Sequence, residues 1–184
     1  MIVPSRQPLI TSAKVVQTID LGDRLPISGV VDENILGDAL HAILAAEFTN
    51  PRHPERMIAI KRILGAYDLD HSIKADDVAV MLDRFAAQLD KLFQPKTLLV
   101  ETPFLSVNSH GQRTSGYIDL LLETNKGAVI VDHKSFLGKR ADWSAKALSY
   151  SGQLAAYRGA RRTSAIESTW IHFAAGGGLV QVDW

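Results

Sequence analysis

The stretch "GYIDLLLETNKGAVIVDHKS", residues 116–135, decides the fold. It holds two apolar runs joined by the turn-forming segment TNKG at 124–127. A short turn of this kind joins antiparallel neighbours, so 117–123 and 128–134 are predicted as paired strands. The second run is apolar from Ala128 to Val131 and then meets Asp132, His133 and Lys134. That is the profile of a strand buried on both faces whose end carries charge. Side chains alternate across a strand, so Asp132 and Lys134 share one face and His133 takes the other. By the same alternation Asp119 shares a face with Tyr117 and Leu121, and antiparallel pairing brings it near Asp132. Two carboxylates that close repel unless one takes a proton or a cation sits between them. A hard divalent ion with oxygen ligands resolves the conflict. A structural ion pair between Lys134 and either acid is the simpler alternative.

Working outward, the period changes on both sides of this stretch. Residues 34–48 place Leu36, Leu40, Ile43, Leu44 and Phe48 at helical spacing, with Asp32 or Asn34 as cap. His41 falls at the rim of that apolar sector. A second helix is predicted over 54–66 with Pro54 in its first turn, and a third over 74–93, ended by Pro95. Asp76, Asp77, Asp83 and Asp90 fit the solvated face of the third. Residues 97–107 read as a strand and 110–116 as a loop. Residues 144–162 read as one helix in which Gln153 and Tyr157, four apart, share a face with Lys146 and Tyr150. "STWIHFA" and "GLVQVDW" read as strands of a closing hairpin, and "AKVVQTI" near the start as a further strand. The order implies an α/β (α+β) fold: a central mixed sheet flanked by helices, in one domain over 1–184. The helical part spans 33–95 and the sheet-and-helix core 96–184.

Composition narrows the function. The 184 residues are 46% hydrophobic and 22% charged, as in an ordinary globular protein. No apolar run reaches the ~20 residues of a membrane span, and no charged leader precedes an apolar block. There is no Cys, which removes disulfides, thiolate zinc sites and iron–sulfur clusters and suits a cytoplasmic location. No phosphate-binding GxxxxGK[ST] loop is present, so ATP-driven unwinding would belong to another polypeptide or segment. Net charge is zero, yet Lys134, Lys139, Arg140, Lys146, Arg158, Arg161 and Arg162 face only Asp142 between 134 and 162. That stripe is either a solvated helix face or an attraction for phosphates.

His41, Gly116-x-x-Asp119, Asp132-x-Lys134 and Gln153-x-x-x-Tyr157, in this order and context, resemble the PD-(D/E)xK nuclease superfamily. Within it they are most similar to the RecB-like nuclease domain of AddA-type, UvrD-like helicase–nucleases, over residues 35–182. The chain departs from the common pattern in having His133 where Tyr is frequent. The resemblance implies a restriction-endonuclease-like core. It also implies Mg²⁺ or Mn²⁺ held by His41, Asp119, Asp132 and the backbone carbonyl of His133. Asp119, Asp132, Lys134, Gln153 and Tyr157 would be catalytic, with Lys134 orienting or deprotonating water or holding transition-state charge. Glu101 occurs where the family carries an acid and is read as an accessory acid or structural partner; His172 is read as structural. The implied function is a metal-dependent DNA exonuclease on single strands or duplex ends, serving recombination or repair with a helicase domain or subunit. A silent DNA-end-binding scaffold and a stand-alone phage-type exonuclease are the alternatives.

Overall fold

The computed structural model describes residues 4, 7–107, 113–160 and 165–184. A six-stranded sheet in the order β1-β6-β5-β4-β3-β2 forms its centre. The strands are β1 (Lys14–Asp20), β2 (Thr97–Val107), β3 (Arg113–Glu123), β4 (Ala128–Lys134), β5 (Ile166–Phe173) and β6 (Gly178–Asp183). The β4–β5 pair is parallel and the remaining pairs are antiparallel, so the sheet is mixed as predicted. The predicted restriction-endonuclease-like α/β architecture is therefore present.

Helices cover both faces, which is why β4 is apolar on both sides. Helices α1 (Glu33–Thr49), α2 (Arg56–Ala66) and α3 (Ala75–Phe93) bury Leu36, Leu40, Leu82 and Phe85 against Leu120, Leu122, Val129 and Val131. On the other face, α4 (Trp143–Leu148) and α5 (Ser151–Ala160) bury Trp143, Leu154 and Tyr157 against Ile118, Leu121, Ile130 and Ile171. Asp32 caps α1 through Oδ1, which accepts from the N–H groups of Asn34 and Ile35.

Four expectations change. Strand β3 begins at Arg113, not 117, so residues 113–116, read as loop, are strand paired with β2. Helix α2 begins at Arg56, not 54, because Pro54 lies in a preceding turn closed by the Arg56 N–H to the His53 carbonyl. The helix predicted over 144–162 is two helices. At the break the Ser149 hydroxyl donates to the Lys146 carbonyl at 2.6 Å, and the Ser151 hydroxyl accepts from the Ile10 N–H at 3.0 Å. Such local side-chain bonds compete with a continuous helix. Arg161 and Arg162 of the basic stripe, and residues 110–112 of the predicted loop, lie outside the described residues. Finally, the alternation in β3 skips at Asp119. Ile118 and Leu121 share one core layer while Leu120 and Leu122 share the other, so Tyr117 and Leu121 do not lie on a common face. Opposite this skip, Glu101 on β2 has φ +46°, the left-handed conformation that side chains rarely adopt.

Candidate active site

The skip in β3 is also where the sheet forks. The β3–β4 ladder ends at Leu120↔Val131, so Asp119 does not pair with Asp132. Its Oδ2 instead accepts the His133 N–H at 2.7 Å across the opening. Helix α1 closes the fork from one side. Gly37 lets it approach, since a Cβ there would stand 3.1 Å from Ser135 Oγ, tighter than ordinary van der Waals contact. One turn later, His41 is on the same side of the helix. Its Nε2 lies 3.0 Å from the His133 carbonyl and its Nδ1 3.7 Å from Asp119 Oδ2. A bond to a carbonyl requires the proton on Nε2, which leaves the Nδ1 lone pair of the neutral ring turned toward Asp119.

Glu101 completes this group. His41, Glu101 and Asp119 each offer a donor atom within 4.8 Å of the others, one nitrogen and two oxygens. Among the described residues this is the set close enough to share one ion, and Asp132 lies outside it. The sequence marked Glu101 as an accessory acid or a structural partner. The signal that places it in this group is the β2–β3 register, in which the pairs around Val100↔Leu120 and Thr102↔Ile118 put 101 opposite 119.

Asp132 is held on the other side of β4, with Lys134 as predicted. Lys134 Nζ is 2.5 Å from Asp132 Oδ2. Gln153 Nε2 donates to Asp132 Oδ1 at 3.0 Å and to Tyr157 Oη at 2.6 Å, and Tyr157 Oη donates to Asp132 Oδ1 at 3.3 Å. The predicted pair on α5 thus grips the carboxylate directly. His133 turns to the opposite face, as alternation requires, and meets His172 and Phe85.

The electrostatics follow from this crowding. Burial, and then the charge of Asp132, push the Asp119 carboxyl well above the usual range, with Lys134 pulling the other way. Burial and then Lys134 lower the His41 imidazole, which keeps it neutral and able to donate a lone pair. For Lys134 burial acts to lower the pKa, but Asp132 and then Asp119 outweigh it and the net shift is upward, so the side chain is an ammonium. Burial and Asp132 raise Tyr157, so its hydroxyl stays protonated and can donate. A divalent cation fits this cluster on its own chemistry: a neutral imidazole with a free lone pair beside carboxylates that repel for want of positive charge.

Comparison with known proteins agrees with the geometry. The family model for the PD-(D/E)XK nuclease superfamily matches residues 19–182. No curated protein matches the chain. Among solved structures, the chain is similar to the crystal structure of SSO0001 at 16% identity and a TM-score of 0.35. That match covers 78% of this chain and 64% of the other. The chain belongs to the PD-(D/E)XK nuclease superfamily. Nucleases of this superfamily use divalent metal ions, and a His/Glu/Asp cluster is present here. Among the described residues, no helix is long and apolar enough to cross a membrane.

Proposed function

We propose that the chain is a metal-dependent DNA nuclease of the RecB-like, AddA-type branch, trimming single strands or duplex ends beside a helicase domain or subunit. The observation that carries the nuclease reading is the convergence of His41, Glu101 and Asp119 on one point, with Asp132 and the Lys134 ammonium across β4. In this reading His41 Nδ1, Glu101 and Asp119 hold Mg²⁺ or Mn²⁺, while Asp132 keeps to Lys134, Gln153 and Tyr157 beside them. A bound divalent ion supplies Lewis acidity toward a phosphate oxygen and a water of lowered pKa.

The residues of this chain do the rest. Asp119 and Asp132 set the negative field that draws a cation into the fork. Lys134, kept protonated by those two acids, supports a cationic role: it donates to the charge that builds on the phosphate rather than taking a proton from water. Gln153 and Tyr157 fix the Asp132 carboxylate and so the Lys134 head group. Lys139 and Lys146 contribute backbone phosphate affinity without reading sequence.

The deciding experiment incubates the protein with end-labelled single-stranded and duplex DNA in Mg²⁺ or Mn²⁺. Cleavage that chelation stops and that Asp119→Asn abolishes is expected. Tight binding with no cleavage in either metal would instead mark a silent DNA-end-binding module.

A further inference from the structure

We propose that His172 is a positioning residue: its ring anchors His133, and through the His133 peptide groups it sets the aim of His41 and Asp119. The catalytic consequence rests on the nuclease reading above. The positioning itself is a property of the protein without metal.

The parallel β4–β5 register places His133 directly beside His172. Their Nδ1 atoms are 3.0 Å apart, so one ring carries the proton and the other the lone pair. Both rings are buried, His133 at 3% exposure and His172 at 0%. His172 lies flat on Phe85, with centroids 3.7 Å apart and an interplanar angle of 4°. His133 meets the same Phe85 edge-on, at 5.5 Å and 82°. Packing alone does not account for the pair. Two apolar side chains would fill the space, whereas the imidazoles leave His172 Nε2 buried without a hydrogen-bond partner. Such a breach of the burial rule belongs where function requires it.

The fork supplies the requirement. At its end β4 is paired with β5 only, because β3 has already parted from it at Leu120↔Val131. Both peptide groups of His133 on the open edge serve the site: the N–H donates to Asp119 and the carbonyl accepts from His41. A rotation of this one residue therefore moves a carboxylate and an imidazole together. The β5 ladder holds those two peptides from the far edge; on the side of the open edge the added hold comes through the side chain, whose polar partner is His172.

His172→Phe is the test, because it keeps an aromatic ring on Phe85 and removes only the nitrogen–nitrogen bond. In the metal-free protein, NMR reads the His133 amide proton, which its bond to a carboxylate moves downfield, and the His41 Nε2 proton. In His172→Phe both signals should move upfield or broaden away, and in His172→Asn, which can still bond the His133 ring, they should persist. Calorimetric Mn²⁺ titration should show about a tenfold loss of affinity in the Phe variant, with no drop in melting temperature. Unchanged His133 and His41 signals in His172→Phe overturn the proposal, as does a lowered melting temperature with unaltered Mn²⁺ affinity. If the Phe variant does not fold, His172→Leu takes its place with the same readouts. Should the signals move while the parent protein neither binds Mn²⁺ nor cuts DNA, the positioning stands and the nuclease reading falls.

Discussion

Asp132 is bonded through both oxygens, so its replacement separates stability from chemistry. Oδ2 faces the Lys134 ammonium while Oδ1 accepts from Gln153 and Tyr157. Asp132→Ala leaves a largely buried ammonium without its counter-charge, at a cost on the order of 3 kcal/mol, which urea unfolding would read. Asp132→Asn keeps the shape and the bond from Tyr157. It should retain more of the stability than Asp132→Ala and abolish cleavage as fully. A second residue-scale effect comes from the imidazole pair. Burial holds His172 at about 3, far below the ordinary 6.5, and holds His133 well below that value too, helped by His172. Between those values the unfolded imidazoles bind protons that the folded ones refuse. Stability is therefore complete above pH ~6.5 and falls as pH drops toward 3, by about 1.4 kcal/mol per unit for each proton refused. Urea midpoints measured from pH 7.5 down to 4.5 should show this slope, and a double replacement of both imidazoles by Phe should flatten it. Strand alternation was enough to separate His133 from Asp132 and Lys134 in the sequence. It did not disclose the skip at Asp119, which lies opposite Glu101, a residue on another strand in a rare backbone conformation.

At the scale of elements, α1, β4 and α5 form the walls of the site, and each is placed by close contact. Gly37 seats α1 against Ser135, and Gly152 seats the start of α5 under the N-terminal segment, where a Cβ would collide with the Pro8 carbonyl. Gln153, the next residue, carries the amide that holds Asp132. Gly152→Ala should therefore destabilise the protein by about 1–3 kcal/mol, as overpacked sites do, and loosen residues 7–10 from Ser151 and Thr114. Limited proteolysis near the N-terminus reads that loosening; unchanged cleavage there would show that the contact is slack. The strands β2 and β4 were legible to the residue, and α1 and α3 nearly so, since their apolar periods are strong. The break between α4 and α5 was not. It depends on a bond from Ile10 to Ser151, 141 positions apart, and no local pattern encodes that.

The whole molecule is neutral, and its charges are arranged in pairs that alter the reading of the basic stripe. Arg140 is bound to Asp20, and Arg158 to Asp183 at 2.8 Å. These pairs tie the stripe to the far edge of the sheet, so it is less open to phosphates than the sequence count implies. Lys146 instead packs over the rings of Phe136 and Tyr150, and Lys134 lies over the same Tyr150 ring at 5.0 Å. Lys146→Ala should lower the slope of log affinity for single-stranded DNA against log salt by about 0.7; an unchanged slope removes Lys146 from the DNA path. The sheet's composition and both helical layers could be read from the order of patterns along the chain. That Glu101 joins His41 and Asp119 could not, because that follows from register. One consequence of the left-handed backbone at Glu101 lies in how the protein would change under selection. Glycine adopts the conformation of residue 101 freely, whereas the glutamate is strained there by about 1 kcal/mol. A search for heat-tolerant variants would accordingly favour Glu101→Gly, and the sturdier proteins it returned would have lost the carboxylate that stands with His41 and Asp119.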